Sequence, residues 1–248
     1  MQRTKIEWCR NADGSPGYTW NPVTGCYGPG GTKERPNHCP YCYAKRIAER
    51  FAGGKVWPNG FEPTWRPERE YEPAQLSKPS RIFVGSMCDL FGAWVPRDWI
   101  DRVLWMVKGT ARHTFIFLTK HFRMLARHNP WPTNAWVGAT AEDGGMVQTA
   151  LHSMRDVNAS VKFLSIEPLL RWRVDANIST AELYYKDFLV SPVHWLIIGA
   201  RTNPLRLPER QWVEDIEAAA DKAGVPIFEK NSLTTLFPER KLRQEWPE

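Results

Sequence analysis

Arg81-Ile82-Phe83-Val84-Gly85-Ser86 and Thr114-Phe115-Ile116-Phe117-Leu118-Thr119 are the two stretches that decide the fold. Each is a short apolar run. The segment between them has the periodicity of a helix, with Ile100, Val103, Leu104 and Val107 on one stripe. A strand, a helix and a second strand in this order predict a parallel βαβ unit. Both runs are apolar throughout, which is expected of strands that are covered on both faces.

The same pattern recurs along the rest of the chain. Further apolar runs lie at 135–140, 161–166, 194–199 and 225–228, and an extended segment lies at 19–24. This makes six or seven mostly parallel strands in an α/β fold. We predict a full or partial (β/α) barrel of the TIM type, organised as a single domain over residues 1–248 with an irregular insertion at about 53–80.

The composition of the 248-residue chain is that of a globular protein. Hydrophobic residues make up 42% and charged residues 24%, which excludes wholesale disorder. No apolar run approaches the roughly 20 residues that span a bilayer, and the first residues lack the apolar core of a secretion signal. We expect a cytoplasmic monomer without membrane contact. The net charge is +6, and residues 1–55 carry nine basic against four acidic residues, so most of the excess lies there.

The five cysteines are an odd number, which argues against a disulfide framework in a chain without a secretion signal. Three of them have the spacing Cys26-x12-Cys39-x2-Cys42, and Gly and Pro make the long gap a loop. This set predicts a bound metal or cluster. A structural zinc would recruit Cys9 or His38 as its fourth ligand, whereas an iron–sulfur cluster held by three cysteines leaves one iron open. The spacing alone is compatible with both.

A helix is predicted directly after the third cysteine. Ala44, Ile47, Ala48 and Phe51 recur at helical spacing as one apolar stripe, and the charged residues lie opposite it: Lys45, Arg46, Glu49 and Arg50.

Polar residues follow the predicted strands. In (β/α) barrels the active site lies at the carboxyl ends of the strands. We therefore expect a polar mouth that faces the three thiolates. Its candidate residues are Ser86, Cys88, Asp89, Thr119, Lys120, Thr140, Glu142, Ser165, Glu167, Arg201, Asn203, Glu229 and Lys230.

Several blocks in one order resemble a known family. They are Trp20-Asn21-Pro22-Val23-Thr24-Gly25-Cys26, Cys39-Pro40-Tyr41-Cys42-Tyr43-Ala44, Val84-Gly85-Ser86-Met87-Cys88-Asp89-Leu90-Phe91, Phe117-Leu118-Thr119-Lys120 and Leu164-Ser165-Ile166-Glu167-Pro168-Leu169. These blocks are similar to the phage-associated three-cysteine family of the radical S-adenosylmethionine (SAM) superfamily, which is related to the spore photoproduct lyase branch. The usual superfamily motif is C-x3-C-x2-C, and the first gap here is twelve residues instead of three. Ala200-Arg201-Thr202-Asn203 also departs from the family, which usually has Gly-Gly-Glu-Ser at this place.

The resemblance implies a radical SAM enzyme with a barrel of that type. Cys26, Cys39 and Cys42 would ligate a [4Fe–4S] cluster whose fourth iron binds SAM. The implied cofactor-binding residues are Tyr41, Ser86, Asp89, Thr140, Ser165 and Glu167. The expected substrate-binding residues are Lys120, Arg201, Glu229 and Lys230.

The resemblance also implies a substrate and partners. The substrate would be a thymine-derived base, in DNA or as a nucleotide, that is isomerised in phage DNA hypermodification or repaired in a lyase-type reaction. Cys88 could donate a hydrogen atom in the lyase-type case. Trp57, Trp65 and Trp94 are candidates for stacking on a base. A flavodoxin or ferredoxin would supply electrons, in the host cytoplasm if the chain is phage-encoded.

Two other functions are compatible with the residues. One is a zinc-stabilised nucleic-acid-binding module without catalysis, which requires Cys9 or His38 as a ligand. The other is a radical SAM-like chain that binds SAM but has lost activity, as the departure at Arg201 allows.

Overall fold

The structure is a computed structural model that describes residues 1–172 and 193–247. It is mixed α/β with a mostly parallel eight-stranded sheet, in the order β1-β2-β5-β6-β7-β8-β9-β12. The strands are β1 (Gln2–Arg3), β2 (Tyr18–Trp20), β3 (Val23–Thr24), β4 (Thr64–Trp65), β5 (Arg81–Val84), β6 (Thr114–Thr119), β7 (Ala135–Asp143), β8 (Val161–Arg171), β9 (Trp195–Ile198), β10 (Arg201–Thr202), β11 (Leu205–Arg206) and β12 (Ile227–Glu229). The helices are α1 (Tyr43–Arg50), α2 (Arg97–Gly109), α3 (Gly144–Met154) and α4 (Arg210–Ala223).

The chain divides into two compact units. The first consists of Met1–His121 and Trp131–Trp136, and the second of Phe122–Pro130 and Val137–Glu248. The predicted α/β class and the mostly parallel sheet are confirmed, whereas the barrel and the single-domain organisation stay predictions. None of the helices in the described part of the chain is long and apolar enough to cross a membrane.

The first unit is built on parallel strands that end together. β2 pairs in parallel with β5, placing Trp20 opposite Val84, and β5 pairs in parallel with β6, placing Val84 opposite Phe117. Trp20 and Phe115 are fully buried and pack edge to face at 5.9 Å. Because the three strands are parallel, the loops that follow them leave the same edge of the sheet. These loops carry the cysteines and their neighbours.

The short helix α1 differs from its prediction. Ala44 and Ala48 are buried, but Ile47 and Phe51 are exposed. Two alanines offer little volume and let the helix backbone approach its neighbours closely, so the inward stripe is narrower than the periodicity predicts. The exposed side of α1 therefore carries Ile47 and Phe51 beside charged side chains.

The second unit continues the parallel pattern. β8 pairs with β9, and β9 pairs with β12, all in parallel. A C-terminal segment then lies along β12 in the opposite direction. The Glu229 N–H donates to the Arg243 carbonyl at 2.7 Å and the Glu245 N–H donates to the Ile227 carbonyl at 3.0 Å. The Trp195 indole N–H also donates to the Glu245 carbonyl at 2.8 Å, which fixes the segment to the neighbouring strand.

The predicted irregular segment at 53–80 has little regular structure. It holds β4 and two short 3₁₀ turns, Pro67–Arg69 and Glu72–Gln75. Arg66, a buried residue at its centre, donates to the Thr24 hydroxyl at 3.1 Å and to the Val56 carbonyl. This side chain fixes the segment to the strand that leads into Cys26.

Candidate functional site

The three clustered cysteines follow strands of the first unit. Cys26 comes two residues after β3, and Cys42 is the N-cap of α1. Cys39 joins the same turn, because the Cys42 N–H donates to the Cys39 carbonyl at 3.0 Å. The local chain geometry therefore places the Cys39-x2-Cys42 pair at the start of a helix.

The twelve-residue gap between Cys26 and Cys39 is a loop with a closed neck. The Asn37 N–H donates to the Tyr27 carbonyl at 2.7 Å, so the two ends of residues 28–36 lie side by side. Gly28 has a φ of +81°, and a Cβ there would lie 1.9 Å from the Asn37 carbonyl oxygen, so only glycine fits the neck. Along the short path across the neck, Tyr27, Asn37 and His38 alone separate the two cysteines. The path therefore contains three residues, as many as the first gap of a C-x3-C-x2-C spacing.

Two backbone N–H groups point at the sulfur atoms. The Gly28 N–H donates to the Cys26 sulfur at 3.2 Å, and the Lys45 N–H donates to the Cys42 sulfur at 3.3 Å. The second bond is the N-terminal cap of α1, where the helix dipole also favours negative charge. Both contacts stabilise a thiolate over a thiol.

Burial and nearby negative charge favour the protonated thiol at Cys26 and at Cys88. Burial, and next the charge of Asp89, raise the pKa of Cys26 to about 12, with a smaller contribution from Cys42. Burial also raises the pKa of Cys88 well above its ordinary range. In the described ranges, no three His, Cys, Asp or Glu side chains are gathered as a metal would gather them. Since thiolates in this setting need a cation to offset their charge, ligand convergence and metal binding would occur together.

The residues nevertheless fit a cysteine-held cluster. The short path across the neck gives the required spacing, and the two N–H groups are donors of the kind that tune cluster thiolates. The fit therefore rests on the backbone of the loop and helix.

The Ser86–Asp89 loop after β5 is held in place by residues from two other strand ends. The Asn21 side chain donates to the Ser86 hydroxyl at 3.1 Å and accepts from the Met87 N–H at 2.9 Å. Asp89 accepts from the Thr119 hydroxyl and from the Lys120 N–H, the latter at 2.9 Å. The role of Asn21 was not predicted from the sequence, although Asn21 lies in the Trp20–Cys26 block.

Tyr41 and Lys120 are brought together, as two of the predicted site residues. The Lys120 ammonium donates to the Tyr41 hydroxyl at 3.2 Å and lies 5.6 Å from the centre of the Tyr41 ring. Lys120 follows β6 and Tyr41 lies between two of the cysteines. A positive charge therefore lies close to the cysteine loop.

Two of the predicted residues of the second unit contact each other. Glu167 and Lys230 make an ion pair, and a Cβ at Gly199 would lie 3.1 Å from both side chains. Ser165 is buried, and within the described chain its hydroxyl has no hydrogen-bond partner. Thr140 is buried on β7. Arg201 begins a small hairpin and donates to the Pro204 carbonyl at 3.2 Å.

Glu229 has a structural environment. Its side chain is fully buried, and its two carboxylate oxygens accept from Arg240 at 2.7 and 2.9 Å. One of them also accepts from the Arg243 N–H at 2.7 Å. The Glu229 carboxylate therefore holds the C-terminal segment in place. The prediction that Glu229 binds substrate is not kept.

Cys9 lies at the other end of the strands. Its sulfur is 3.7 Å from the carbonyl oxygens of Tyr18 and Arg81, the first residues of β2 and β5, whereas Cys26 follows the last residues. Cys9 is thus misplaced for the predicted role as a zinc ligand with Cys26. His38 remains beside Cys39, and burial lowers its pKa.

The three stacking candidates are all packed. Trp57 is buried and packs near Phe61, so its ring is not exposed for stacking on a base. Trp65 packs against Trp99. Trp94 lies beside the site, with its ring 5.7 Å from Tyr27.

The fold and site together define an α/β protein with a three-cysteine loop at the carboxyl edge of parallel strands. The chain belongs to the family described as "Protein of unknown function (DUF5131)", whose model matches residues 3–235. None of the curated proteins compared with the chain matches it.

Solved structures of spore photoproduct lyase are similar to the chain. A cysteine-to-serine mutant has 14% identity and a TM-score of 0.46, with 82% of this chain and 60% of that chain covered. A mutant with bound AdoMet and dinucleoside spore photoproduct has 10% identity and a TM-score of 0.47, with 88% and 64% covered. A complex with dinucleoside spore photoproduct has 13% identity and a TM-score of 0.43, with 81% and 58% covered. The chain thus spans about three fifths of the length of these structures.

Proposed function

We propose that this chain is a radical SAM enzyme in which Cys26, Cys39 and Cys42 hold a [4Fe–4S] cluster. The observation that carries the proposal is the closed neck between Tyr27 and Asn37, which reduces the long gap to a path of three residues. The N–H groups that point at two of the sulfurs support it, because they offset thiolate charge.

The bound cluster and SAM would supply a 5′-deoxyadenosyl radical that takes a hydrogen atom from a substrate carbon. The chain's own residues would bind SAM and the substrate and orient them. Ser86 and Asp89 are held rigidly by Asn21, Thr119 and the Lys120 backbone, so they can present fixed polar atoms to SAM. Tyr41 would lie near the adenine. The further cofactor-binding residues that we propose are Thr140, Ser165 and Glu167.

The proposed substrate is a thymine-derived base in DNA or a nucleotide. This part rests on the sequence blocks that resemble the phage-associated three-cysteine family. Lys120, Arg201 and Lys230 would bind phosphate or carboxylate groups of the substrate, and Trp94 is retained as the stacking candidate beside the site. Cys88 is kept protonated by burial, which is the form that can donate a hydrogen atom in a lyase-type reaction.

Anaerobic reconstitution tests the proposal. The wild-type chain should take up four irons and sulfides per chain, absorb near 400 nm and form 5′-deoxyadenosine from SAM under reduction. Cys26→Ala, Cys39→Ala and Cys42→Ala should each lose most of the iron. Cys9→Ala is the matched control and should keep it, because Cys9 lies at the other end of the strands. Equal iron uptake by all four variants would refute the cluster.

The same preparation decides between the alternatives. One zinc per chain with no iron or sulfide would favour a zinc-stabilised nucleic-acid module, with His38 as the remaining candidate for the fourth ligand. SAM binding without 5′-deoxyadenosine would favour a chain that has lost activity.

A further inference from the structure

The hairpin that follows β9 places two arginines opposite each other. β10 and β11 pair antiparallel, with Arg201 opposite Arg206 and Thr202 opposite Leu205. Residues directly opposite each other on an antiparallel pair project to the same face, with Cβ atoms about 4.5–5.5 Å apart. The two guanidinium groups therefore share one face of the hairpin.

The charge of this arginine pair is not offset by an acidic side chain. Residues 199–208 contain no aspartate or glutamate. Within the described part of the chain, neither Arg201 nor Arg206 forms an ion pair. Arg201 donates its Nε–H to the Pro204 carbonyl at 3.2 Å, which leaves its terminal N–H groups for another acceptor. Because like charges directly opposite each other destabilise a strand pair, an anion on this face would relieve the repulsion.

The hairpin is anchored at the carboxyl end of β9. Ala200, the residue before β10, donates its N–H to the Ser232 hydroxyl at 3.0 Å. Gly199, one residue earlier, lies against the ion pair of Glu167 and Lys230. The arginine pair therefore begins two residues from side chains to which the proposed function gives roles in binding cofactor and substrate.

The hairpin is open to solvent along its length. Residues 202–207 are all exposed, and the Leu205 side chain is 58% exposed. Sites for free nucleotides and other small molecules are concave and bury most of the ligand. An exposed hairpin instead suits a polymer that runs across it, as nucleic acid backbones run over basic side chains.

We infer that Arg201 and Arg206 form a clamp for a phosphodiester group of a DNA strand. The inference deepens the proposed function, on which it rests for the choice of a nucleic acid, and it selects a strand over a free nucleotide as the substrate. Each guanidinium is a planar fork of donors that matches two phosphate oxygens. Two such forks on one face can hold one phosphate between them, and the phosphate charge offsets their repulsion. The clamp positions the strand and reads no sequence.

The test measures binding of a thymine-rich single-stranded oligonucleotide by the full-length reconstituted chain. Arg201→Gln with Arg206→Gln should weaken binding at least about tenfold at about 50 mM salt. The slope of log affinity against log salt should become shallower by about 0.7, which is the contribution of one neutralised phosphate on a single strand.

Lys108→Gln with Arg155→Gln is the matched control, because it removes the same charge. Both side chains are exposed, and they lie where a helix returns to the amino end of the next strand, β6 or β8. The control should bind the oligonucleotide within about twofold of the wild type. The Tm of the double arginine variant should be unchanged or higher, since loss of the like charges relieves a repulsion, whereas a merely structural role of the arginines would lower it.

Thymidine 5′-monophosphate separates a strand from a free nucleotide. It should bind the wild type and the double arginine variant equally, and at least about a hundredfold more weakly than the oligonucleotide binds the wild type. Oligonucleotide binding within twofold of the wild type in the double arginine variant, or an equal loss in the control, would overturn the clamp. So would thymidine monophosphate that binds as tightly as the oligonucleotide and depends on the two arginines.

The iron content of the same preparations separates this inference from the proposed function. A chain that takes up no iron, but binds the oligonucleotide through the two arginines, refutes the cluster and leaves the clamp standing. Full iron uptake without oligonucleotide binding refutes the clamp and leaves the cluster standing.

Discussion

Replacing Gly28 by alanine should open the neck of the cysteine loop, and Gly30 provides the matched control. Both glycines lie in the same loop with positive φ, +81° and +70°. A Cβ at Gly28 would lie 1.9 Å from the Asn37 carbonyl oxygen, whereas a Cβ at Gly30 would meet nothing within 4 Å. Both variants carry the cost of placing alanine at a positive φ. The difference between their stabilities therefore measures the clash at the neck of the loop.

The expected costs differ by a factor of about two or more. A left-handed alanine costs roughly 1–2 kcal/mol, which is the whole effect for Gly30→Ala. Gly28→Ala must also shift the Asn37 backbone, which loses a hydrogen bond of about 0.5–1.5 kcal/mol and adds strain of about 1–3 kcal/mol. The total of roughly 2.5–6.5 kcal/mol should lower Tm by at least about 5 °C in a chain of this size.

Thermal unfolding and iron uptake are the two measurements for this pair. Gly28→Ala should unfold well below Gly30→Ala and should also bind less iron after anaerobic reconstitution, since the neck sets the position of Cys39 relative to Cys26. Equal Tm values for the two variants would refute the closed neck. A low Tm with full iron uptake would show that the neck does not position the cysteines.

Three further predictions concern the second unit. Burial, and next a hydrogen bond to Glu229, raise the pKa of Glu217 to about 7. The folded state therefore holds a proton that the unfolded chain releases. The free energy of unfolding should fall as the pH rises from about 4.5 to 7. Glu217→Gln should therefore raise stability by roughly 1–3 kcal/mol at pH 8 and by little at pH 4.5, as denaturant titrations would show, and a constant difference between the two pH values would contradict this. Arg240→Met leaves the Glu229 carboxylate buried without its cation and should cost about 3–5 kcal/mol in the same titrations, with Glu229→Gln in the Arg240→Met background restoring part of it; a loss below 1 kcal/mol would count against the buried pair. Gly138→Ala would place a Cβ 2.3 Å from the Phe163 ring and should cost about 1–3 kcal/mol by thermal unfolding, so an unchanged Tm would contradict that packing.

The parallel core was predictable because its strands are apolar on both faces. Ile82, Phe83 and Val84 read as a covered strand in the sequence and are buried in the structure. The short antiparallel pairs were not predictable, since β1 has two residues with exposed side chains and no apolar pattern. The side of α1 that faces outward also escaped prediction, because periodicity marks an apolar stripe but not whether a neighbour covers it.

The cysteine site was predictable in its residue types and not in its geometry. A gap of twelve residues gives the contour length of a loop, whereas the separation of Cys26 and Cys39 depends on how the chain closes at the neck.

Glu229 was wrongly predicted as a site residue. A polar residue at the end of a strand looks like a site residue, and only the packing of Arg240 reveals that its carboxylate is used within the fold.

The C-terminal segment has a consequence for the behaviour of the chain in solution. β12 is the last strand of the sheet, and the segment around Gln244 occupies its outer row of N–H and C=O groups. An uncovered strand edge pairs readily with the edge of another molecule. Removal of residues 240–247 would thus expose the unpaired N–H and C=O groups of β12 to other molecules. We expect such a truncated chain to form aggregates at temperatures where its secondary structure is still intact.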